Sequence, residues 1–298
     1  MPYRYPLILL LVTLVWGMTF PVLKVATGVL SGVEITTLRF CIAAACMLPF
    51  VCGIALAAWR DGFWLGALAL FSMAAQAYGL QFIASNRSAF LTSLNVLMVP
   101  LLGCLLGGRP GWLIFVAAAL ACLGIGMMSY DGEAHLVADV ATLLAALAYA
   151  VYTKGMSARA RRHNAVHLAS AQVWCMAAMG LVWMLLDSGP ARVLSLPEVI
   201  SLEVLLGLLF LGALASAATF FLQALAQTHV SAEQAAIIYA MEPVFAALFG
   251  WIYLAEMMTP MAQLGALVVV FAVVLSQRPG AVQTGGTVDM LNAYPPPK

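Results

Sequence analysis

Charged residues are scarce in this sequence. Only 8% of its 298 residues are Asp, Glu, Lys or Arg, whereas 64% are hydrophobic. A soluble domain usually has about 25% charged and roughly 45–50% apolar residues. A chain of this composition has too little polar surface to face water, which excludes most soluble folds. The formal net charge of +1 also gives no general electrostatic reason to bind nucleic acid.

Motifs for catalysis and for metal binding are lacking as well. The sequence has no G-x-S-x-G, H-E-x-x-H or Walker motif, so it indicates neither a hydrolase nor an ATP-driven pump. The six cysteines lie in apolar runs without C-x-x-C spacing, so we interpret them as small hydrophobic side chains. We therefore expect no enzyme activity, no cofactor and no metal site.

Long apolar runs are abundant. A helix needs about 20 apolar residues to cross a bilayer. Ten segments meet or approach this requirement: Leu7–Thr27, Val33–Ala57, Phe63–Ala84, Ala89–Gly107, Trp112–Tyr130, Leu136–Tyr152, Val166–Leu186, Leu202–Ala226, Ala235–Ala255 and Met261–Ser276. They do not alternate as barrel strands do, and lipid offers no partner for open backbone groups. The predicted fold is an all-α membrane protein with ten transmembrane helices.

Basic residues are unevenly divided between the two sets of loops. If the N-terminus is cytoplasmic, the outer loops receive two basic residues, Arg87 and Arg192, and the cytoplasmic side receives nine. The nine are Arg4, Arg60, Arg109, Lys154, Arg159, Arg161, Arg162, Arg278 and Lys298. Cytoplasmic loops carry an excess of Lys and Arg, so we predict a multi-pass protein of the cell inner membrane with both termini in the cytoplasm.

The two halves of the sequence resemble each other. A shift of 133 residues places Trp16-Gly17 over Tyr149-Ala150, and a shift of 143 places Pro100 over Pro243. Five spans per repeat is an odd number, so the second repeat enters the membrane from the opposite side. Such inverted-topology repeats are typical of carriers that open alternately to each side. We predict a first repeat over residues 1–130, a second over 131–277, and a disordered cytoplasmic tail over 278–298.

Short motifs mark both halves. They are Trp16-Gly17-Met18-Thr19-Phe20, Leu38-Arg39-Phe40, the run from Ser231 through Met241-Glu242-Pro243-Val244-Phe245 to Ala255-Glu256, and Gln263-Leu264-Gly265-Ala266. Together they resemble the EamA-type transporters of the drug/metabolite transporter superfamily, over nearly the whole chain. The first half departs from the pattern, because Val99 stands where the second half has Glu242. The resemblance implies ten spans, a central cavity, and transport of amino acids, related metabolites or toxic compounds, with export favoured.

Two charged residues lie within predicted spans and have no simple explanation. Glu242 is near the middle of the ninth span, where a charged side chain costs about 3 kcal/mol unless it faces a cavity or a partner. It is interpreted either as a proton-coupling or substrate-amine site, or as a structural group beside the Pro243 kink. Arg39 either pairs with Glu242 or receives a substrate carboxylate. Both interpretations of each residue stay open at this point.

Polar and aromatic residues recur at matched places in the two halves. A small-molecule pocket needs a mostly apolar wall with a few placed polar groups. The predicted substrate-binding residues are Trp16, Thr19, Arg39, Tyr78, Gln81, Asn95, Tyr149, Gln223, Tyr239 and Glu242. For any single aromatic residue, packing between helices or against lipid is the alternative. The small residues around Gly124, and those from Ala213 to Ala218, predict close helix packing.

The function predicted from these features is that of a secondary transporter for a small metabolite, working by alternating access. Its expected partners are the substrate and the lipid bilayer, protons are a candidate coupling ion, and a homodimer is a candidate assembly. Two alternatives remain. An intramembrane enzyme or lipid-modifying factor would need convergent polar groups at depth, and only Glu242 and Arg39 qualify. An accessory membrane subunit would be a better match for a single half than for a complete pair.

Overall fold

The computed structural model describes residues 3–80, 82, 91–128, 136–254 and 259–278, and this part of the chain is built from helices. The first half contains α1 (Arg4–Ala26), α2 (Gly32–Met47), α3 (Leu56–Leu80), α4 (Asn95–Leu105) and α5 (Trp112–Met128). The second half contains α6 (Leu136–Ala160), α7 (Ala165–Asp187), α8 (Gly189–Val199), α9 (Leu202–Leu209), α10 (Thr219–Gln227), α11 (Ala232–Tyr239), α12 (Glu242–Leu254) and α13 (Pro260–Ser276). A π-helical stretch, Phe210–Ala218, joins α9 to α10.

Many of these helices suit a membrane. Five helical segments are long and apolar enough to span one: Gly32–Phe50, Leu136–Ala160, Ala165–Asp187, Leu202–Gln227 and Ala232–Tyr253. Four more helical segments are apolar but shorter: Arg4–Thr19, Leu91–Leu105, Trp112–Met127 and Pro260–Ser276. Helix α3 belongs to neither set but lies in the third predicted apolar run. Each of the ten predicted runs therefore contains a helix. Large apolar side chains such as Leu105 and Leu186, both 82% exposed, cover the surface, as expected where lipid is the solvent.

Polar residues fix the starts of several helices. At α2 the Ser31 side chain accepts a hydrogen bond from the backbone N–H of Glu34, whose carboxylate accepts one from the backbone N–H of Ser31. At α7 the Asn164 side chain accepts a hydrogen bond from the backbone N–H of Val166. Asn164 lies 133 residues after Ser31, which is the shift that relates the two halves of the sequence. Ser231 caps α11 in the same way. The repeat in the sequence is therefore matched by a repeat in how helices begin.

Two helices differ from the sequence prediction at the cytoplasmic side of the predicted topology. The sixth span was expected to stop at Tyr152, but α6 continues to Ala160 because its charged last turns find carboxylate partners on other helices. The second span was expected to reach Ala57. Instead α2 ends before Pro49, which has no backbone N–H, and the chain turns at Gly53 with φ of +82°.

One helix was not expected at all. The sequence between the seventh and eighth spans was interpreted as a loop, yet it forms α8. It was not predicted because Pro190 and Pro197 lie in this segment, and proline usually indicates a turn. Pro190 stands in the first turn, where its missing N–H costs no helical hydrogen bond.

The two halves pack against each other in an exchanged pattern. Helix α2 packs along α7 and α5 packs along α13. Helix α3 packs on α6 and α7, while the matching segment of the second half, the π-helical stretch with α10, packs on α1 and α2. Likewise α4 packs on α6, while α12 packs on α1. Each of these contacts has a counterpart when the halves are interchanged.

Glycine allows the closest of these contacts. A Cβ atom at Gly124 on α5 would lie 2.6 Å from the carbonyl oxygen of Gly265 on α13. One at Gly17 on α1 would lie 2.5 Å from the Cβ of Phe245 on α12. Close packing around Gly124, predicted from its small neighbours, is therefore confirmed.

Candidate functional site

Aromatic and amide side chains from α1, α6, α7, α10 and α11 meet in one place. We call them the central cluster: Trp16, Tyr149, Tyr152, Gln172, Gln223, Gln227 and Tyr239. The ring centroid of Tyr239 lies 5.4 Å from that of Trp16 and 6.3 Å from that of Tyr149, and Tyr149 lies 5.5 Å from Tyr152. Trp16 comes from the first half and the others from the second, so the cluster spans the contact between halves.

Hydrogen bonds hold one side of the cluster. The Tyr152 hydroxyl donates to Gln223 Oε1 at 3.0 Å and accepts from Gln172 Nε2 at 3.2 Å. All three side chains are fully or almost fully buried. Because α6, α7 and α10 each supply one member, this network fixes the mutual rotation of three helices.

Two further bonds hold the other side. The indole Nε1 of Trp16 donates to Thr219 Oγ1 at 3.2 Å. Gln227 Nε2 donates to the Tyr239 hydroxyl at 3.3 Å. The rings of Trp16 on α1 and Tyr239 on α11 are thus both anchored to α10. Thr19 is buried, but its hydroxyl donates to the Trp16 carbonyl of its own helix at 2.6 Å.

The cluster retains polar atoms with no partner in the described part of the chain. These are Gln172 Oε1, Gln223 Nε2 and Gln227 Oε1, all buried. A buried donor or acceptor without a partner costs about 1–3 kcal/mol. Spare donors and acceptors beside aromatic faces are the features that a small polar ligand would use.

Glu242 lies beside this cluster at a break in the ninth apolar run. Helix α11 ends at Tyr239 and α12 begins at Glu242, followed at once by Pro243, which cannot donate a backbone hydrogen bond. Glu242 is partly exposed and interacts electrostatically with Tyr149 and Arg39. Within the described residues its carboxylate has no hydrogen-bond or ion-pair partner. The break therefore places next to the cluster a carboxylate that has no direct hydrogen-bond or ion-pair partner among the described residues.

Arg39 is buried on α2 and held by the π-helical stretch. Its Nε donates to Ser216 Oγ at 3.0 Å and its Nη2 donates to the Ala215 carbonyl at 3.3 Å. Backbone bonds shift register in a π-helix, which leaves carbonyls open to such a donor. Arg39 and Glu242 attract each other, but these two side chains form no direct ion pair in this conformation.

Other predicted site residues lie elsewhere. Tyr78 is 45% exposed near the end of α3, with its ring 5.2 Å from that of Phe82. Asn95 is buried at the start of α4, where its Nδ2 donates to the Thr92 carbonyl at 2.9 Å. Gln81 lies outside the described residues. The structure thus brings Trp16, Tyr149, Gln223 and Tyr239 together, with Glu242 beside them.

Sequence reasoning missed part of the cluster. Tyr152, Gln172 and Gln227 belong to it but were not among the predicted site residues. Helical spacing gave a signal for two of them, because Tyr152 follows Tyr149 by three positions and Gln227 follows Gln223 by four. Residues at these spacings lie on one face of a helix. Thr219, four positions before Gln223, gave the same signal, whereas Ser216 gave none.

Charged contacts lie at both ends of the helices. Asp61, which precedes the predicted third span, lies 3.2 Å from Arg159 Nε and 2.8 Å from His163 Nε2. Burial raises the pKa of the Asp61 carboxyl, but hydrogen bonds from His163 and Arg159 outweigh it and hold that pKa below its usual value. At the opposite end, Arg192 Nε lies 2.8 Å from Glu34 Oε1.

Two cavities lie away from the central cluster. One of about 530 Å³ is lined mainly by apolar residues, among them Met47, Phe50 and Phe221. The other, of about 320 Å³, lies beside Val22 and Phe210. The central cluster lines neither of them. Among the described residues, no group of three or more His, Cys, Asp or Glu is placed to hold a metal ion.

Comparison with known proteins shows which family the chain belongs to. A model of the EamA-like transporter family matches the chain twice, over residues 4–130 and 136–277. The chain belongs to the EamA-like transporter family. An Archaeoglobus fulgidus protein described as an uncharacterized transporter is 30% identical over 280 residues, which cover 90% of this chain and 83% of that relative. The resemblance inferred from the motifs is confirmed.

The EamA-like fold also has a counterpart among solved structures. A crystal structure of another protein superposes on this chain with a TM-score of 0.78, and the match covers 93% of this chain and 98% of that one. Sequence identity is 16%, so this likeness concerns the fold alone. Family membership and the apolar helices together make this EamA-like chain a multi-pass membrane transporter.

Proposed function

We propose that this EamA-like protein is a secondary transporter that exports a small metabolite, an amino acid or a related compound, across the cell inner membrane by alternating access. The observation that carries the proposal is the central cluster with Glu242 beside it. The aromatic faces provide apolar contact for a small polar substrate, and the amide groups with free donors and acceptors provide hydrogen bonds. The Glu242 carboxylate, which has no direct partner among the described residues, provides charge. The family supports transport, and the motif resemblance favours export.

The proposed topology is ten spans in a five-plus-five inverted repeat, with both termini cytoplasmic. The exchanged pattern of helix contacts supports the inverted repeat, because each half uses equivalent helices to contact the other. The nine-to-two division of basic residues supports the orientation. An inverted repeat allows one substrate site to open in turn to either side.

Glu242 is the proposed proton-coupling residue. When its carboxyl group is protonated, it is neutral and presents no charge to the cluster. When the proton leaves, the carboxylate attracts a substrate amine, since charged groups interact strongly away from bulk water. Proton and amine then compete for one side chain, which couples their movements in opposite directions.

Transport by the purified full-length protein in liposomes tests the proposal. A panel of labelled amino acids and related metabolites is loaded inside, and efflux is followed with and without a pH gradient. We expect at least one amine-bearing compound to move faster with the gradient than without it. Folded protein that moves no member of the panel under either condition would contradict the proposed function.

A further inference from the structure

An ion pair lies between the central cluster and one end of the helices. Lys154 Nζ on α6 is 2.5 Å from Glu233 Oε1 on α11, and the two side chains are 21% and 12% exposed. Lys154 follows the cluster residue Tyr149 on α6, and Glu233 precedes Tyr239 on α11. Because a helix rises about 1.5 Å per residue, the pair lies roughly 8 Å beyond the ring pair, toward the end that carries the α6–α7 turn.

An apolar layer adjoins this ion pair. Val99 on α4, Ala150 on α6, and Ala232 and Ala236 on α11 are buried and pack as one group. They bring a helix of the first half into contact with two of the second half. Ala150 and Ala236 lie along their helices between the rings of Tyr149 and Tyr239 and the ion pair, so α4 packs against α6 and α11 between those rings and that end of the protein.

Gly103 on α4 lies against the ion pair formed by α6 and α11. A Cβ atom at Gly103 on α4 would lie 2.9 Å from Glu233 Oε1 and 3.1 Å from Lys154 Nζ. Either distance is shorter than ordinary van der Waals contact, so a side chain at Gly103 would push the flexible ends of Glu233 and Lys154 aside. Helix α4 therefore lies directly against the ion pair, next to the apolar layer.

We infer that Lys154 and Glu233, covered by Gly103, form an inner gate that holds this end of the transport path closed. The inference rests on the proposed function, since a gate needs a path. For substrate to pass, α4 must move away from α6 and α11, and the pair must separate. A partly exposed pair suits this role because its net free energy is small, so that it biases the closed state without locking it. Lys154 and Glu233 act as positioning residues and do not contact the cluster.

Side-specific labelling of one cysteine tests the gate. Val99→Cys, in a background with the six native cysteines replaced by alanine, puts a thiol in the apolar layer. A membrane-impermeant maleimide is added to the face that carries Arg161 and Arg162. We expect Lys154→Gln and Glu233→Gln each to raise the labelling rate roughly three- to tenfold, the effect of losing one partly buried pair. The charge exchange Lys154→Glu with Glu233→Lys should return the rate to within about twofold of the parent, because it restores the attraction.

Gly103→Ala provides a second route that keeps both charges. The added methyl group displaces the ion pair, so labelling from the same face should rise as it does in the neutral variants. This variant and the charge exchange carry the test if a neutral variant does not purify as a folded protein. Arg192→Gln is the matched control, because it breaks an ion pair at the opposite end and should leave labelling at this face unchanged.

Two results would overturn the inner gate. One is unchanged labelling in Lys154→Gln, Glu233→Gln and Gly103→Ala. The other is a rise that the charge exchange does not reverse, because it would reflect loosened packing rather than loss of attraction. Labelling requires no substrate, so a gate that fails leaves the liposome assay to judge transport independently, and the converse also holds.

Discussion

At the scale of single residues, Glu242 decides what the central cluster can do. Amides and aromatic rings bind neutral or charged ligands alike, but a carboxylate adds a charge that a proton can remove. The Pro243 break sets where this carboxylate lies, and Arg39 acts on it from a distance while bonded to the π-helical stretch. In the proposed mechanism, binding and coupling thus depend on one side chain that makes no direct hydrogen bond or ion pair in the described part of the chain.

Replacing Glu242 with Gln should separate coupling from folding. The amide keeps the size and hydrogen bonding of the carboxyl group and is cheaper to bury, so the variant should fold. We expect proton-driven transport to be lost while exchange of substrate between the two sides persists. Transport and thermal stability are measured on one preparation, with Glu198→Gln on the exposed face of α8 as the control. Normal gradient-driven transport by folded Glu242→Gln would end the coupling proposal.

The attraction between Arg39 and Glu242 can be measured by a double-mutant cycle. Arg39→Gln loses charged hydrogen bonds to Ser216 and Ala215 and should lower the free energy of unfolding by about 1.5–3 kcal/mol. The change in Arg39→Gln/Glu242→Gln should be smaller than the sum of the single changes by roughly 0.5 kcal/mol or more. Thermal melts in one detergent give all four values. Strict additivity would show that the two charges do not interact.

At the scale of helices, glycine and ion pairs determine how closely elements approach. Helices α5 and α13 touch at Gly124, and α1 and α12 touch at Gly17, where a side chain would meet the partner helix. In lipid these contacts rely on packing, since apolar side chains gain little by leaving lipid for protein. The charged groups near Asp61 instead connect α3 to the turn between α6 and α7.

Gly124→Ala should therefore destabilise the protein. The new methyl group meets backbone atoms of α13, which cannot move aside as a flexible side chain can, and overpacking of this kind costs about 1–3 kcal/mol. Gly32→Ala is the matched control, because a Cβ atom there has nothing within 4 Å. We expect a lower melting temperature for Gly124→Ala and an unchanged or slightly higher one for Gly32→Ala. Equal melting temperatures would show that α5 and α13 can separate freely.

The Asp61 contacts should make stability depend on pH. Because the folded pKa of Asp61 is lowered, its contribution is fully present above the unfolded value of about 3.9 and is lost as pH falls through the folded pKa. Asp61→Asn should thus lower the melting temperature at pH 7, and the difference from the parent should shrink below about pH 4. Asp187→Asn, at the exposed end of α7, is the control. A difference that stays constant with pH would contradict this account.

At the scale of the whole molecule, the exchanged contacts between halves imply two equivalent ways to close the protein. In this conformation the Lys154–Glu233 pair of the proposed inner gate is formed, and the central cluster lines neither described cavity. The opposite end is covered by the Arg192–Glu34 pair, which joins α8 to α2. Interchanging the roles of the halves would open one end as the other closes, as alternating access requires.

Labelling of loops tests the proposed orientation. A cysteine introduced in the segment from Asp131 to His135, which lies outside the described residues, should react with an impermeant reagent added outside the cell. One introduced at Arg161, in the α6–α7 turn, should react only after the cytoplasmic face is exposed. The two sites are compared in a background without native cysteines. The reverse pattern would invert the orientation, and labelling of both sites from one face would contradict the ten-span topology.

The sequence by itself determined much of the fold and some of the site. An apolar run in lipid has no choice but to form a helix, because its backbone groups find no other partners. Hence each predicted run carries a helix, and residues such as Ser31 and Asn164 mark where two of them begin. Glu242 was recognisable because a carboxylate in an apolar run is costly, and Gly124 because small residues indicate close packing.

Tertiary structure alone decided which side chains meet. A helix that is apolar on every face carries little information about its rotation, since lipid is as apolar as the protein interior. Tyr78 and Tyr149 therefore looked alike in the sequence, yet Tyr78 is 45% exposed on α3 and Tyr149 lies in the central cluster. Contacts between helices distant in sequence place Gln172 in the central cluster and bind Arg39 to the π-helical stretch. Such contacts also place Gly103 against an ion pair. No local pattern specifies such contacts, because they form only when both halves are packed.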